Sequence, residues 1–165
     1  MKKLMLLAAV AVFGLSSVNA QNFNAGVSAA LPMGDAGDVT TFGVSLDVNY
    51  LWEISEDFDA GVASGYQHYF GDSVDILGTT FDFEDFGFLP IAAAARYSVS
   101  EKFTVGADLG YALGVSPDGN DGGFYYAPKI QFGVTDSLDI VFAYRGVSLD
   151  GGSFDSITLG VEFGL

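Results

Sequence analysis

Cysteine is absent from the chain. That excludes a disulfide framework and a cysteine-borne lipid anchor, and leaves stability to packing and hydrogen bonding. Positive charge is nearly as scarce: six Lys and Arg face 21 Asp and Glu, a formal net charge of −15. A chain with that balance repels nucleic acid, whose binding is driven by cationic side chains meeting phosphate. Beyond the N-terminus no apolar run approaches the ~20 residues of a spanning helix. Any crossing of a membrane has to be made by strands.

What is present begins with Lys2 and Lys3, an apolar segment from Leu4 to Leu15, and Val18-Asn19-Ala20, a small-residue ending suited to signal peptidase. Residues 1–20 are therefore expected to be a cleaved export signal, and residues 21–165 a single domain. All 21 acids survive cleavage, but of the bases only Arg96, Lys102, Lys129 and Arg145 do, which moves the net charge to −17. Aromatic residues make up 15% of the sequence, too many for a disordered acidic tail.

The dominant signal is alternation. In "RYSVSEKFTVGADLGYAL", residues 96–113, Phe103, Val105, Ala107, Leu109, Tyr111 and Leu113 fall on one side of an extended chain, with Thr104, Gly106, Asp108 and Gly110 on the other. Three segments, "ISEDFDAGV" from Ile54, "VSEKFTVGA" from Val99 and "VTDSLDIVF" from Val134, share the pattern of a tight hairpin turn. Between them lie longer stretches rich in Gly, Asp and Pro. Short turns alternating with long loops give eight strands, near 23–31, 42–53, 58–69, 87–99, 102–115, 123–134, 138–148 and 156–165. No helix is expected beyond the signal, and Pro90 and Pro128 are each expected to mark a bulge or a strand start.

One face of these strands carries bulky apolar side chains such as Phe42, Leu46, Trp52, Ile91, Phe132, Phe142 and Leu159, with no Asp, Glu, Lys or Arg. The other carries Gly43, Ser45, Asn49, Gly65, Gln67, Ala92, Ala94, Gly106 and Gly160 with a few isolated charges. An eight-stranded barrel has a lumen only wide enough for side chains to fill, so the small residues fit inside and the bulky face must look outward. Exposed to water, that face would far exceed the few hundred Å² of apolar patch that soluble monomers tolerate, so it is predicted to face lipid. Strands of about eleven residues match a tilted crossing of ~25–30 Å of hydrocarbon. Tyr50, Trp52, Phe58, Tyr97 and Phe103 toward the short turns, and Tyr66, Tyr111, Phe124 and Tyr126 toward the long loops, form two interfacial girdles. The predicted fold class is all-β, an eight-stranded antiparallel up-and-down transmembrane β-barrel.

With its export signal, alternating strands and turn rhythm, the chain resembles the small OmpA/OmpX-like outer-membrane β-barrel superfamily of Gram-negative bacteria. The last strand, "TLGVEFGL", resembles that superfamily's assembly signal, carried here by Thr158, Gly160, Phe163 and Leu165. The resemblance implies an integral outer-membrane protein with both termini periplasmic, in contact with outer-membrane lipid and lipopolysaccharide. It also implies recognition by the barrel-assembly machinery, and no cofactor.

By parity Asp47, Arg96, Asp108, Lys129, Arg145 and Glu162 point into the lumen, where a buried ion-pair network is expected to fill the barrel. The single histidine, His68, lies near the loop end of the third strand. Lipid-A-modifying barrels use such a histidine with Ser or acidic partners. Here Tyr69 and Phe70 adjoin it, with Asp72 and Ser73 following, and the chain is expected not to be an enzyme. "SPDGNDGG" sets Asp118, Asn120 and Asp121 among glycines, a candidate for weak Ca²⁺ binding without the twelve-residue loop of an EF-hand. The second long loop, with Phe81, Phe83 and Phe86 among acids, is the candidate partner surface. The expected work is structural or interactive, adhesion or ligand presentation through acidic extracellular loops. A narrow cation-favouring, porin-like channel is the alternative, and a soluble exported lipocalin-like barrel with its bulky residues inside is a third.

Overall fold

The computed structural model describes residues 23–76 and 79–165, so the expected signal at 1–20 lies outside the described residues. In chain order the strands are β1 (Phe23–Met33), β2 (Thr40–Ser55), β3 (Phe58–Gly71), β4 (Ser73–Ile76), β5 (Thr79–Asp82), β6 (Phe86–Ser100), β7 (Phe103–Ser116), β8 (Gly123–Thr135), β9 (Leu138–Leu149) and β10 (Gly152–Gly164). Eight of them close into an antiparallel barrel, ordered β1-β10-β9-β8-β7-β6-β3-β2. The short β4 and β5 form a separate hairpin within the second long loop, which the sequence reading left without strands.

The three turn-like segments are two-residue connections at Glu56-Asp57, Glu101-Lys102 and Asp136-Ser137, each accompanied by a register shift in its hairpin. The other end carries the longer loops. In the first of these, residues Gly34–Ala36 make one 3-10 turn, where no helix was expected. Gly34 takes φ +56°, open to glycine at little cost, and the Thr40 hydroxyl donates to the Ala36 carbonyl at 2.6 Å to hold the turn.

Orientation follows parity. Leu46 is 63% exposed and Leu159 58%, both outward, while Ala92, Ala94, Ala112, Ala127 and Ala143 are buried inside. This is the reverse of a lipocalin-like barrel, which would hold its bulky side chains within.

Three expectations need correction. Pro90 and Pro128 are neither bulges nor strand starts; both sit inside strands, and the β3–β6 and β8–β9 ladders keep one register on either side of them, the nearest shift being at Gly87/Phe88 in the β6–β7 ladder. Lacking an N–H, each leaves a two-residue gap in one ladder: Gly65 and Tyr66 on β3 have no partner on β6, and Ala127 and Pro128 have none on β9. The outward face is also not wholly uncharged. β10 begins at Gly152 rather than 156, and it brings Asp155 to the outside at the loop-end rim. There the Tyr126 hydroxyl donates to the Asp155 carboxylate at 3.0 Å and the Ser153 hydroxyl makes a further short bond to it.

Candidate functional site

The lumen is filled in tiers. Arg96 on β6, Asp108 on β7 and Lys129 on β8 converge in one cluster, with Asp108 accepting from Arg96 Nη1 at 2.7 Å and from Lys129 Nζ at 2.5 Å. All three side chains are buried. Across the barrel, Arg145 on β9 grips Asp47 on β2 with two bonds of 2.8 Å, a fork geometry that only guanidinium provides. Arg145 Nε also donates to the Thr158 hydroxyl at 3.3 Å. Glu162 departs from the expected network: it lies buried with amides rather than with a cation, accepting from Asn49 at 2.8 Å and Gln131 at 2.9 Å. The six charges still balance across the lumen, since the extra cation of the Arg96–Asp108–Lys129 cluster matches Glu162.

Toward the loop end the filling changes from ionic to aromatic. The Tyr69 hydroxyl bonds Ser156 Oγ at 2.9 Å and donates to Gln67, whose amide donates in turn to the Tyr125 hydroxyl. Above this layer Phe154 packs against Tyr69, Phe86 and Phe88 with ring centroids 4.7, 5.1 and 5.2 Å apart. Gly43 makes room for the ring of Tyr69, because a Cβ there would stand 2.5 Å from Tyr69 Cδ1. The sequence reading missed this plug. Its residues carry the inward parity of Arg96 and Asp108, and that parity was the signal available for finding them.

At the short-turn end a polar vestibule of about 370 Å³ opens among Asn24, Glu53, Asp59, Asp139 and Glu162. At the loop end two adjoining hollows of about 270 Å³ each share Phe86, Leu149 and Asp150. Asp118, Asn120 and Asp121 line one of them. The Asn120 side chain is already engaged, donating to Ser116 O at 2.8 Å and to Gly87 O on β6 at 3.4 Å and accepting from Gly122 N at 3.1 Å. Among the described residues no group of three His, Cys, Asp or Glu is arranged to hold a metal ion.

His68 faces outward on β3, where Asp85 of the second loop reaches its Nε2 at 3.2 Å and the Tyr66 hydroxyl lies 3.4 Å from its Nδ1. The approaching acid is Asp85 and not Asp72, and Ser73 turns away to donate to Asp82. Of the second-loop phenylalanines, Phe86 packs on the plug and Phe83 is exposed; the side chain of Phe81 lies outside the described residues. In β10, Thr158 and Gly160 point inward, and Phe163 and the following Leu165 are exposed. Thr158 is thereby also a lumen ligand of Arg145.

No family model matches the sequence, and no curated protein matches it. Solved structures do. The outer-membrane protein Ail of Yersinia pestis in a phospholipid bilayer nanodisc is 18% identical, with a TM-score of 0.58 over 87% of this chain and 98% of that one. Ail in complex with the heparin analogue sucrose octasulfate is 17% identical, TM-score 0.54, over 86% and 95%. A de novo designed transmembrane β-barrel is 11% identical, TM-score 0.55, over 87% and 94%. With its closed eight-stranded antiparallel order, bulky outward face and packed lumen, the chain has the fold of the small outer-membrane β-barrels.

Proposed function

We propose that this protein is an integral barrel of a bacterial outer membrane that works as a surface-interaction protein, presenting its acidic loop end to partners, and not as a channel or an enzyme. The supporting observation is the filled lumen. An ionic tier of Arg96, Asp108, Lys129, Arg145 and Asp47 and an aromatic tier of Tyr69, Phe88, Tyr125 and Phe154 occupy successive levels of the interior. A solute would have to break both. The loops remain as the place where function varies on such a scaffold. The periplasmic placement of both termini, contact with lipopolysaccharide and delivery by the barrel-assembly machinery belong to the same reading. So does the role of Thr158, Gly160, Phe163 and Leu165 as an assembly signal.

The loop end differs in charge from what a polyanion needs. Ail has been solved with sucrose octasulfate bound, whereas the long loops of this chain carry ten acids and no Lys or Arg. A heparin-like partner would be repelled here. Planar-bilayer recording tests the closed lumen: purified protein should pass no steady current, and a reproducible cation-selective conductance would instead establish the channel reading.

A further inference from the structure

We propose that the loop-end mouth binds a basic peptide segment whose Lys or Arg residues alternate with apolar side chains. This rests on the surface-interaction reading above and names its partner class. The mouth has a floor and a rim of opposite character. Phe86 and Leu149 pack onto the aromatic plug from above and are shared by both hollows, with Phe154 beneath one of them. Asp118 and Asp121 stand on one side, Asp35 on the other, and Asp150 belongs to both hollows.

These four carboxylates make no hydrogen bond or ion pair among the described residues, whereas Asp72, Asp82 and Asp85 of the second loop are each engaged. Nor can a cation among the described residues reach them. Of the four Lys and Arg in residues 21–165, three are buried in the lumen and Lys102 sits in a short turn at the opposite end.

The shape argues for a side chain over an ion. Each hollow has the liquid volume of roughly nine waters at ~30 Å³ apiece, and an apolar floor offers nothing to a bare metal ion. An Arg or Lys of the partner lays its methylene stem along Leu149 and Phe86 while its head reaches the rim acids. A guanidinium over the Phe86 ring gains a cation–π contact as well. An apolar neighbour fills the second hollow. A simple polyamine uses the rim and wastes the floor.

Full-length protein in neutral-lipid nanodiscs, titrated calorimetrically with empty discs as blank, tests this. The probes are a hexapeptide of alternating arginine and tyrosine and a matched hexapeptide of arginine and serine. The arginine–tyrosine peptide should bind one per barrel. The serine peptide should bind about tenfold more weakly, having lost the apolar contacts. Replacing Asp35, Asp118, Asp121 and Asp150 together by Asn should weaken the first peptide by about tenfold or more, the sum of the modest exposed pairs its three arginines make. Leu149→Ser alone should narrow the gap between the two peptides.

Equal binding of both peptides overturns the inference, as does binding unchanged in the fourfold variant or equally reduced by neutralising Asp72, Asp82 and Glu84. Cells displaying the protein separate this from the parent reading. Adhesion to heparin-coated but not to peptide-coated plates overturns the basic-peptide assignment alone. Adhesion to neither, together with steady bilayer current, overturns the surface-interaction reading itself.

Discussion

Replacing Arg145 with Met tests whether the lumen charges hold the barrel together. The guanidinium is 3% exposed; it makes two 2.8 Å bonds to Asp47 and further bonds to Thr158 and Ser28. Methionine keeps much of the stem volume but strands Asp47 among groups that only partly compensate it. Removing one partner of a buried pair costs about 3–5 kcal/mol, a large part of the stability of an ordinary domain. Asp47→Leu should cost a similar amount by stranding Arg145. The double variant removes both charges, and since apolar replacement of a whole buried pair is often neutral, it should recover most of the loss. The double-mutant cycle then returns a coupling larger than either single loss, about 5 kcal/mol or more, because the double variant escapes most of both penalties. Urea unfolding in lipid vesicles can be followed through Trp52, the only tryptophan, which lies on the outward face near the short turns. A single variant that loses under about 1 kcal/mol, or a double variant no more stable than either single, refutes the reasoning.

Phe154→Ala should lower unfolding stability by about 3–5 kcal/mol, because three aromatic rings close on that side chain, and a midpoint shift in urea measures it. Gly43→Val should destabilise by about 1–3 kcal/mol through its collision with Tyr69, and Gly43→Val with Tyr69→Ala should recover part of that. Leu46→Arg, on the lipid-facing side of β2, should cost about 2–4 kcal/mol, whereas Ile54→Arg beside the short turn should cost about 0–1. Equal losses at the two sites would remove the lipid-facing assignment.

Period-two alternation made the barrel legible because a strand with one face packed cannot slip by one residue without turning that face over. Arg96, Asp108 and Arg145 could be set inside on parity alone. Their partners were harder to see, because pairing across a barrel depends on strand tilt, which a sequence does not print. Glu162 therefore turned out to sit with Asn49 and Gln131 rather than with a cation. Phe88 and Phe154 escaped notice because a lumen of small residues was extrapolated to its full length. Local gaps such as Gly43 instead let large rings in near the loops. Asp155 was hidden by a strand start placed too late, and the Asp85–His68 contact by the length of loop that brings the two together.

The two proline gaps divide the wall into unequal leaves. Strands β6, β7 and β8 form one, bounded by the interrupted β3–β6 and β8–β9 ladders, and the other five strands form the second, closed by ten unbroken β1–β10 pairs. Each leaf encloses its own charge cluster, Arg96–Asp108–Lys129 in the smaller and Arg145–Asp47 in the larger. Each ion cluster therefore lies within one leaf, while the Gln131–Glu162 bond and the Phe88–Phe154 ring contact tie the two leaves together through the lumen. Among the barrel strands, deuterium should enter earlier at the one amide of the Gly65–Tyr66 pair that faces the β3–β6 gap than along the β1–β10 closure.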